Sequence, residues 1–261
     1  MAVTNFIQQI WSKKIQDDLE LKCKLVDNCL RDYEGDCKYA QSVKILGVGE
    51  PTIGAYDGTQ DITIEDMSDK GQILTIDQAN YFAFYVDDVD QAQSVPGLKE
   101  KYQEKAVHGL AVARDTYVAT LIAGATNKTV ADVGTEAGVK KAVDDAIVKL
   151  RERNFDEDGV IEMTPAFYNL FKNHLITLST NNPELIKKGV VGMYDNFECI
   201  MSNNLKTPCD IRGKKAIAFA GQINEVEALR AEKRFKDIVR GLDTFGAKVI
   251  DEARIQVIVS D

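Results

Sequence analysis

The sequence predicts an α+β fold in which a long β-hairpin and a long helix precede a mixed region of helices and strands. Short β-prone runs separated by glycines occupy residues 31–86. Apolar positions at helical spacing then continue from about residue 98 to 124. Beyond them, helical and extended patterns alternate, and no repeat of 20 to 50 residues is evident, so solenoids and propellers are excluded.

The first element is an amphipathic helix. From Thr4, a suitable N-cap, Ile7, Trp11 and Ile15 recur four residues apart, and the pattern reaches about Val26. Its apolar face requires a partner.

The second element is a hairpin with an unusually polar middle. Its β-prone positions are Val43, Ile45, Ile62, Ile64, Ile73 and Ile76. The middle, GEPTIGAYDGTQD, cannot form a core of its own, so we expect the hairpin to rest on something else, such as another subunit. A strongly β-prone strand, residues 81–86, follows and ends at the acidic cluster Asp87, Asp88 and Asp90.

The helical pattern at 98–124 predicts a rod of roughly 39 Å. A second helix is predicted around 139–150, followed by the strand GVIEM and a helix that starts at Thr164 and Pro165. Further strands are predicted in GVVGMYD, FECIMS, KAIAFAG and RIQVIVS, whereas residues 223–242 fit neither a helical nor a strand period.

Composition excludes several classes of protein. The net charge is −9 and the isoelectric point is about 4.9, so no broad basic surface for nucleic acid is expected. No apolar run approaches the ~20 residues of a membrane span, and we expect a cytoplasmic chain. The cysteines form no disulfide or zinc pattern and indicate a reducing compartment; they are Cys23, Cys29, Cys37, Cys199 and Cys209.

One segment imitates a calcium loop. Positions 1, 3, 5, 6 and 8 of such a loop correspond to Asn154, Asp156, Asp158, Gly159 and Ile161. The twelfth position requires a bidentate glutamate, but Pro165 stands there. We therefore favour a solvated turn and keep a calcium-binding α+β domain as an alternative.

Other catalytic or cofactor signals are incomplete. Gly47 and Gly49 begin a dinucleotide fingerprint, but Thr52 replaces its third glycine, which favours a hairpin bend. The acidic cluster at 87–90 is interpreted as a solvated strand end. Only His108 and His174 are available for a triad, and no nucleophile elbow accompanies them. We expect no enzyme activity, no metal and no cofactor.

The order of segments resembles the major capsid proteins of tailed double-stranded DNA phages. Residues 31–94 resemble the extended loop of that family and the strand that follows it. GVIEMTPAFYNLFKN, KKGVVGMYDNFECIMSNNLKT and FKDIVRGLDTFGAKVIDEARI are similar to three later segments of the family, in the same order. The resemblance covers about residue 4 to the end, and ordered matches are more specific than any single motif.

The resemblance implies the Hong Kong 97-like capsid fold. It assigns residues 1–30 to an N-terminal arm, 31–78 to an extended loop, 79–130 with 222–261 to a peripheral domain containing a long spine helix, and 131–221 to an axial domain. It also implies self-assembly through hexamers and pentamers into an icosahedral shell. The contacts between subunits that it suggests are Phe6, Ile10 and Trp11 in the arm, Pro51, Ile53, Tyr56 and Asp57 in the loop, and Asn203, Asn204 and Leu205 in the axial domain.

The implied partners are other copies of the chain, a separate scaffolding protein and a portal protein, with double-stranded DNA enclosed but not read by sequence. The implied location is the virion, after assembly in the host cytoplasm. Residues 50–61 contain no lysine, so covalent cross-linking of loops is not expected. An encapsulin-like nanocompartment, which shares the fold but encloses an enzyme, is the alternative.

Overall fold

The fold combines three β-sheets with three α-helices in the computed structural model, which describes residues 23–33, 42–45, 71–87, 98–178, 192–230 and 236–261. The helices are α1 (Leu98–Ala123), α2 (Glu136–Arg151) and α3 (Pro165–Leu178). The strands are β1 (Ser42–Ile45), β2 (Gln72–Thr75), β3 (Gln78–Asp87), β4 (Lys128–Ala131), β5 (Gly159–Met163), β6 (Met193–Tyr194), β7 (Phe197–Met201), β8 (Cys209–Gly213), β9 (Ile217–Arg230), β10 (Lys236–Val249) and β11 (Ile255–Ser260).

The base of the predicted hairpin is present in the structure. Strands β1 and β2 form an antiparallel ribbon in which Ser42 is paired with Thr75 and Ile45 with Gln72. Residues 46–70, which contain the predicted hairpin middle, lie outside the described residues.

Two long antiparallel strands contain the described part of the region that fits neither a helical nor a strand period, residues 223–230 and 236–242. Strands β9 and β10 join β3 in a three-stranded sheet of order β3-β10-β9. The register shifts where Leu242 is paired with Glu225 and Asp243 with Ile223, so one extra residue interrupts the alternation of β9. This bulge interrupts a strand period only at the start of the region, whereas the pairing of the remaining described residues is regular.

Helix α1 lies against the three-stranded sheet. Its buried apolar positions repeat at helical spacing, and they pack with Phe219 and Phe245 of the sheet in one core. The buried positions are Val107, Leu110, Ala111, Val118, Ala119 and Ile122. The long helix predicted from residue 98 is therefore confirmed.

The second core lies against a six-stranded mixed sheet of order β4-β11-β8-β5-β7-β6. Helix α2 begins where the Thr135 side chain accepts a hydrogen bond from the Gly138 N–H, and it buries one apolar face. Helix α3 begins at Pro165, as predicted. Aromatic residues of this core include Phe155, Phe167, Phe171 and Phe197.

Most of the predicted later strands are confirmed, as β5, β7, the start of β9, and β11. GVVGMYD is a strand only at Met193–Tyr194, and residues 189–191 lie outside the described residues. Strands β4 and β8 were not predicted. In β8, two charged residues flank Ile211, and their burial depends on partners that are distant in sequence.

The arm and the domain boundaries remain predictions. Residues 1–22 lie outside the described residues; the chain is described from Cys23, and the only helical turn before β1 in the described part is the 3-10 turn Val26–Asn28. Strand β11, which the resemblance assigns to the peripheral domain, pairs with β4 and β8 in the six-stranded sheet.

Candidate functional site

The suggested subunit contacts are described only in part. Phe6, Ile10, Trp11, Pro51, Ile53, Tyr56 and Asp57 lie outside the described residues. Asn203 is exposed, Asn204 is half-buried, and Leu205 packs against the core of α1 and the three-stranded sheet. The role of all ten residues between subunits stays a prediction, but Asn204 has a clear role within its own chain.

That role is a contact with Asp115, a buried carboxylate in the middle of α1. Asp115 accepts hydrogen bonds from the backbone N–H groups of Lys24, Leu25 and Val26, at 3.1, 3.1 and 3.3 Å. The Asn204 side-chain amide also donates to Asp115, at 3.3 Å. Burial raises the pKa of Asp115, and the backbone donors oppose that rise. One carboxylate thus joins α1, the last part of the predicted arm, and the loop after β7.

Arg212 of β8 holds the other end of the same short segment. Its guanidinium donates to the carbonyl oxygens of Asn28 and Leu25, at 2.7 and 2.8 Å. It also donates two hydrogen bonds to the Glu162 carboxylate, at 2.8 and 3.1 Å. Both charged side chains are fully buried. The buried guanidinium therefore has hydrogen-bond acceptors on two sides, and these offset the cost of removing its charge from water.

A second carboxyl group adjoins this pair. Asp210 is fully buried, its Oδ2 lies 3.9 Å from the Arg212 Nε, and neither oxygen has a hydrogen-bond partner among the described residues. Burial raises the pKa of Asp210 well above its ordinary 3.8, and the charge of Glu162 raises it further while Arg212 opposes the rise. The direction of this shift favours the neutral form of Asp210, whereas the Glu162 carboxylate is the one that pairs with Arg212.

A separate buried ion pair fastens α1 to β10. Arg114 donates to both carboxylate oxygens of Asp243, with the Nε to Oδ2 distance at 3.0 Å. The guanidinium carbon lies 5.6 and 5.8 Å from the ring centres of Phe219 and Phe245. This stacking favours arginine over lysine at the position.

Sequence reasoning missed Asp115, Arg114, Glu162 and Arg212. A signal for two of them was present, because Arg114 and Asp115 interrupt the apolar positions of α1 on the face that is buried. A charged residue on an apolar helix face implies a buried partner. The identity of that partner depended on the tertiary structure.

The outer face of the three-stranded sheet carries exposed aromatic residues. Tyr81 and Tyr85 are 80% and 63% exposed, and they are paired with Leu242 and Ile238 of β10. Phe82 and Phe84 alternate with them and pack on the side of α1. We call the exposed residues Tyr81, Tyr85 and Leu242 the tyrosine face.

The ribbon of β1 and β2 covers the opposite end of the same outer face. Its buried residues Val43, Ile45 and Leu74 pack against Ala218 and Ala220. The approach is very close at Gly246, where a Cβ atom would lie 2.1 Å from the Thr75 carbonyl oxygen. Only glycine fits at this position.

The ribbon leads away from the tyrosine face. The Lys248 ammonium donates to the Ile73 carbonyl, and the Gln72 side chain donates to the Ile250 carbonyl. Going from Thr75 to Gln72, β2 therefore follows β10 toward its C-terminal end, whereas Tyr81 and Tyr85 are paired with residues toward its N-terminal end.

The calcium-like segment is a turn followed by a buried strand. Asp156 and Asp158 are exposed, while Ile161 lies inside β5 with no exposure. Asn154 has a φ of 59°, the left-handed conformation that asparagine tolerates in turns. Glu157 binds Arg254 at 2.7 Å. Among the described residues, no group of three potential metal ligands comes together.

The remaining candidates lie on different elements or outside the described residues. His108 is exposed on α1, His174 is half-buried on α3, and Asp88 and Asp90 lie outside the described residues. An open cavity of about 320 Å³ has an apolar lining that includes Val133, Phe167, Leu170, Leu205 and Thr207.

The four described cysteines are free thiols that are buried or half-buried. Burial raises the pKa of Cys23 to about 12 and that of Cys29 to about 11. Burial also raises the pKa of Cys199 to about 12 and that of Cys209 well above its ordinary value. Since the thiolate is the reactive form, the raised pKa values disfavour reaction at these thiols.

Solved structures share this fold. A structure from Mycobacterium phage Che8 matches at a TM-score of 0.76 and 23% identity, covering 90% of this chain and 90% of that one. The capsid structure of the cyanophage P-SCSP1u matches at 0.72 and 15% identity, covering 89% and 86%. This chain has the fold of tailed-phage capsid proteins.

The capsid fold is found on structural grounds alone. No family model matches the chain, and no curated protein is similar to it. A virus-like particle from Pyrococcus furiosus shares the fold at a TM-score of 0.60 and 13% identity, covering 97% of this chain and 99% of that one. Within the part of the chain that the structure describes, no helix is both long and apolar enough to span a membrane.

Proposed function

We propose that this chain is a major capsid protein, which assembles through hexamers and pentamers into the icosahedral shell of a tailed phage. The observation that supports it is the similarity to capsid structures over about nine-tenths of the chain. The expected role is structural rather than enzymatic, as the similarity to capsid structures supports.

The parts of the Hong Kong 97-like fold are assigned within this proposal. Helix α1 is the spine helix, residues 79–130 with 222–261 are the peripheral domain, and residues 131–221, which include α2 and α3, are the axial domain. The ribbon of β1 and β2 is the base of the extended loop.

The loop of a neighbouring subunit is the proposed occupant of the tyrosine face. A subunit's own ribbon leads away from this face at its base, so the face is better placed for a segment from a second copy. Such a contact joins two different surfaces of identical subunits. Contacts of that kind close into rings, as hexamers and pentamers require.

Partners and location follow from the same proposal. The shell is built on a separate scaffolding protein, carries a portal protein, and becomes part of the virion after assembly in the host cytoplasm. It encloses double-stranded DNA without sequence-specific binding. The net charge of −9 supports a wall that does not adhere to the genome.

Electron microscopy of the purified chain, expressed with and without the candidate scaffolding protein from its own genome, tests the proposal. Closed shells, or free hexamers and pentamers, are the expected result. A monomer under both conditions would contradict it.

An encapsulin-like nanocompartment is the second candidate, supported by the similarity to the Pyrococcus furiosus particle. The contents of the shells separate the two. Co-purified enzyme cargo indicates the nanocompartment, whereas shells that package DNA with a portal indicate the phage capsid.

A further inference from the structure

Residues 24–29 form a short segment that is held at both ends by buried charges. Asp115 receives the three backbone N–H groups at its start, and Arg212 donates to the carbonyl oxygens of Leu25 and Asn28. The carboxylate accepts from backbone N–H groups and the guanidinium donates to backbone carbonyl groups, so each buried charge has hydrogen-bond partners of the opposite polarity. We call Asp115, Arg212 and this segment the arm anchor.

The arm anchor draws on separate parts of the fold. Asp115 belongs to α1, Arg212 belongs to the six-stranded sheet, and Asn204 supports Asp115 from the loop after β7. Leu30 then pairs through its backbone with Ile217 and Phe219 of β9, at 2.8 and 2.9 Å. The segment just before β1 is therefore fixed against both cores.

Stability alone is a weak reason for such an arrangement. Buried ion pairs cost desolvation and are often no more stabilising than apolar residues of the same volume. Their hydrogen bonds are directional, however, and fix one backbone path where apolar packing would permit several. The path fixed here is that of the last part of the predicted arm, residues 1–30, directly after its first 22 residues.

We infer that Asp115 and Arg212 are positioning residues, which set the point and direction in which the N-terminal arm leaves the subunit. This inference rests on the proposed function, in which the arm binds a neighbouring subunit. An arm that starts from a fixed point loses less conformational freedom on binding and is presented at a higher effective concentration. The arm anchor therefore promotes assembly without contacting the neighbour.

The principal test is Asp115→Asn, which keeps the size of the side chain but removes its charge and one acceptor oxygen. The matched control is Asp243→Asn, because Asp243 is also a buried carboxylate that contacts α1 but does not touch residues 24–29. We expect amide hydrogen exchange of residues 24–26 to accelerate at least ten-fold in Asp115→Asn and to stay unchanged in Asp243→Asn.

Assembly is the second readout. At equal subunit concentration, the shell yield of Asp115→Asn is expected to fall about ten-fold relative to wild type and to Asp243→Asn. Deletion of residues 1–22 should lower the yield similarly, and adding Asp115→Asn to that deletion should lower it no further, because both changes act on the same contact.

The outcomes test the inference and the proposed function separately. Asp115→Asn subunits whose residues 24–26 stay protected from exchange, or whose shell yield equals that of wild type, would overturn the inference. A further loss of yield in the chain that carries both the deletion and Asp115→Asn would also overturn it.

If Asp115→Asn does not fold, Asn204→Ala is the second variant, because it removes one donor to Asp115 and should show smaller changes in the same direction. Unchanged exchange and yield in this variant would again overturn the inference. A wild-type chain that forms no shells would instead contradict the proposed function, and the exchange experiment would still test the arm anchor in the free subunit.

Discussion

Asp210 is the residue whose protonation state depends most on its surroundings. It shares a buried site with Glu162 and Arg212, and its raised pKa means that the folded chain retains a proton that the unfolded chain releases above about pH 4. Its stabilising contribution is complete below the unfolded pKa and is lost as pH rises through the folded pKa. The free energy of unfolding should therefore decrease over that range.

We predict that Asp210→Asn makes this decrease shallower and does not lower stability at pH 7, because asparagine is neutral at every pH. Urea unfolding between pH 4 and pH 8 measures the effect, with the exposed Asp158→Asn as control. A loss of stability at pH 7 would show that Asp210 is an ionised partner of Arg212.

Arg114 provides a second prediction at the scale of one side chain. Truncation to alanine leaves the Asp243 carboxylate buried without its cation and should cost about 3–5 kcal/mol. Arg114→Lys should recover only part of the loss, because lysine lacks the two parallel donors and the planar group that lies over Phe219 and Phe245. Chemical denaturation compares the three proteins. Equal stability of the lysine variant and wild type would contradict the importance of this geometry.

Among the elements, the ribbon of β1 and β2 depends on one glycine. We predict that Gly246→Ala destabilises the protein by about 1–3 kcal/mol, because the new methyl group overlaps the Thr75 carbonyl and forces β2 outward. The control is Gly109→Ala in α1, where no atom lies within 4 Å of the new carbon and a gain of about 1 kcal/mol is expected. Thermal unfolding measures both variants. Similar effects in the two would show that the close approach at Gly246 is unimportant.

The tyrosine face gives a prediction about an element that meets a neighbour. Tyr81→Ser combined with Tyr85→Ser should leave the subunit folded, because both side chains are largely exposed, and should reduce shell assembly. Tyr102→Ser is a suitable control, since Tyr102 is also exposed but lies on α1 and stacks on Phe84. Sedimentation separates subunits from shells. Wild-type assembly by the double variant would exclude this face as a site of contact.

For the whole molecule, the hairpin middle is expected to serve assembly and not folding. Deleting residues 50–60 should leave a subunit with wild-type thermal stability, because the buried ribbon residues Val43, Ile45 and Leu74 are retained. The same deletion should abolish closed shells. Circular dichroism and electron microscopy give the two answers, and shells of normal size would contradict the role proposed for the loop.

Much of this architecture could be predicted from local patterns. The spacing of apolar residues in α1, the Thr164 and Pro165 start of α3, and the strands β5, β7 and β11 are visible because each pattern is set by residues close in sequence. The order of the segments also indicated the capsid fold, which the structural similarity confirms.

Only the tertiary structure decided what depends on contacts between distant residues. Residues 223–230 and 236–242 became strands through antiparallel pairing, and β8 buries Asp210 and Arg212 because Glu162 and the carbonyl groups near Asn28 lie against them. The role of Asp115 depends on residues about 90 positions away in the sequence, which donate hydrogen bonds to its carboxylate. By itself, the sequence determined the elements with a clear local pattern, such as α1, α3, β5 and β11, because that pattern depends on local spacing. The strands without such a pattern, and the polar connections between segments, depended on how the chain folds back on itself.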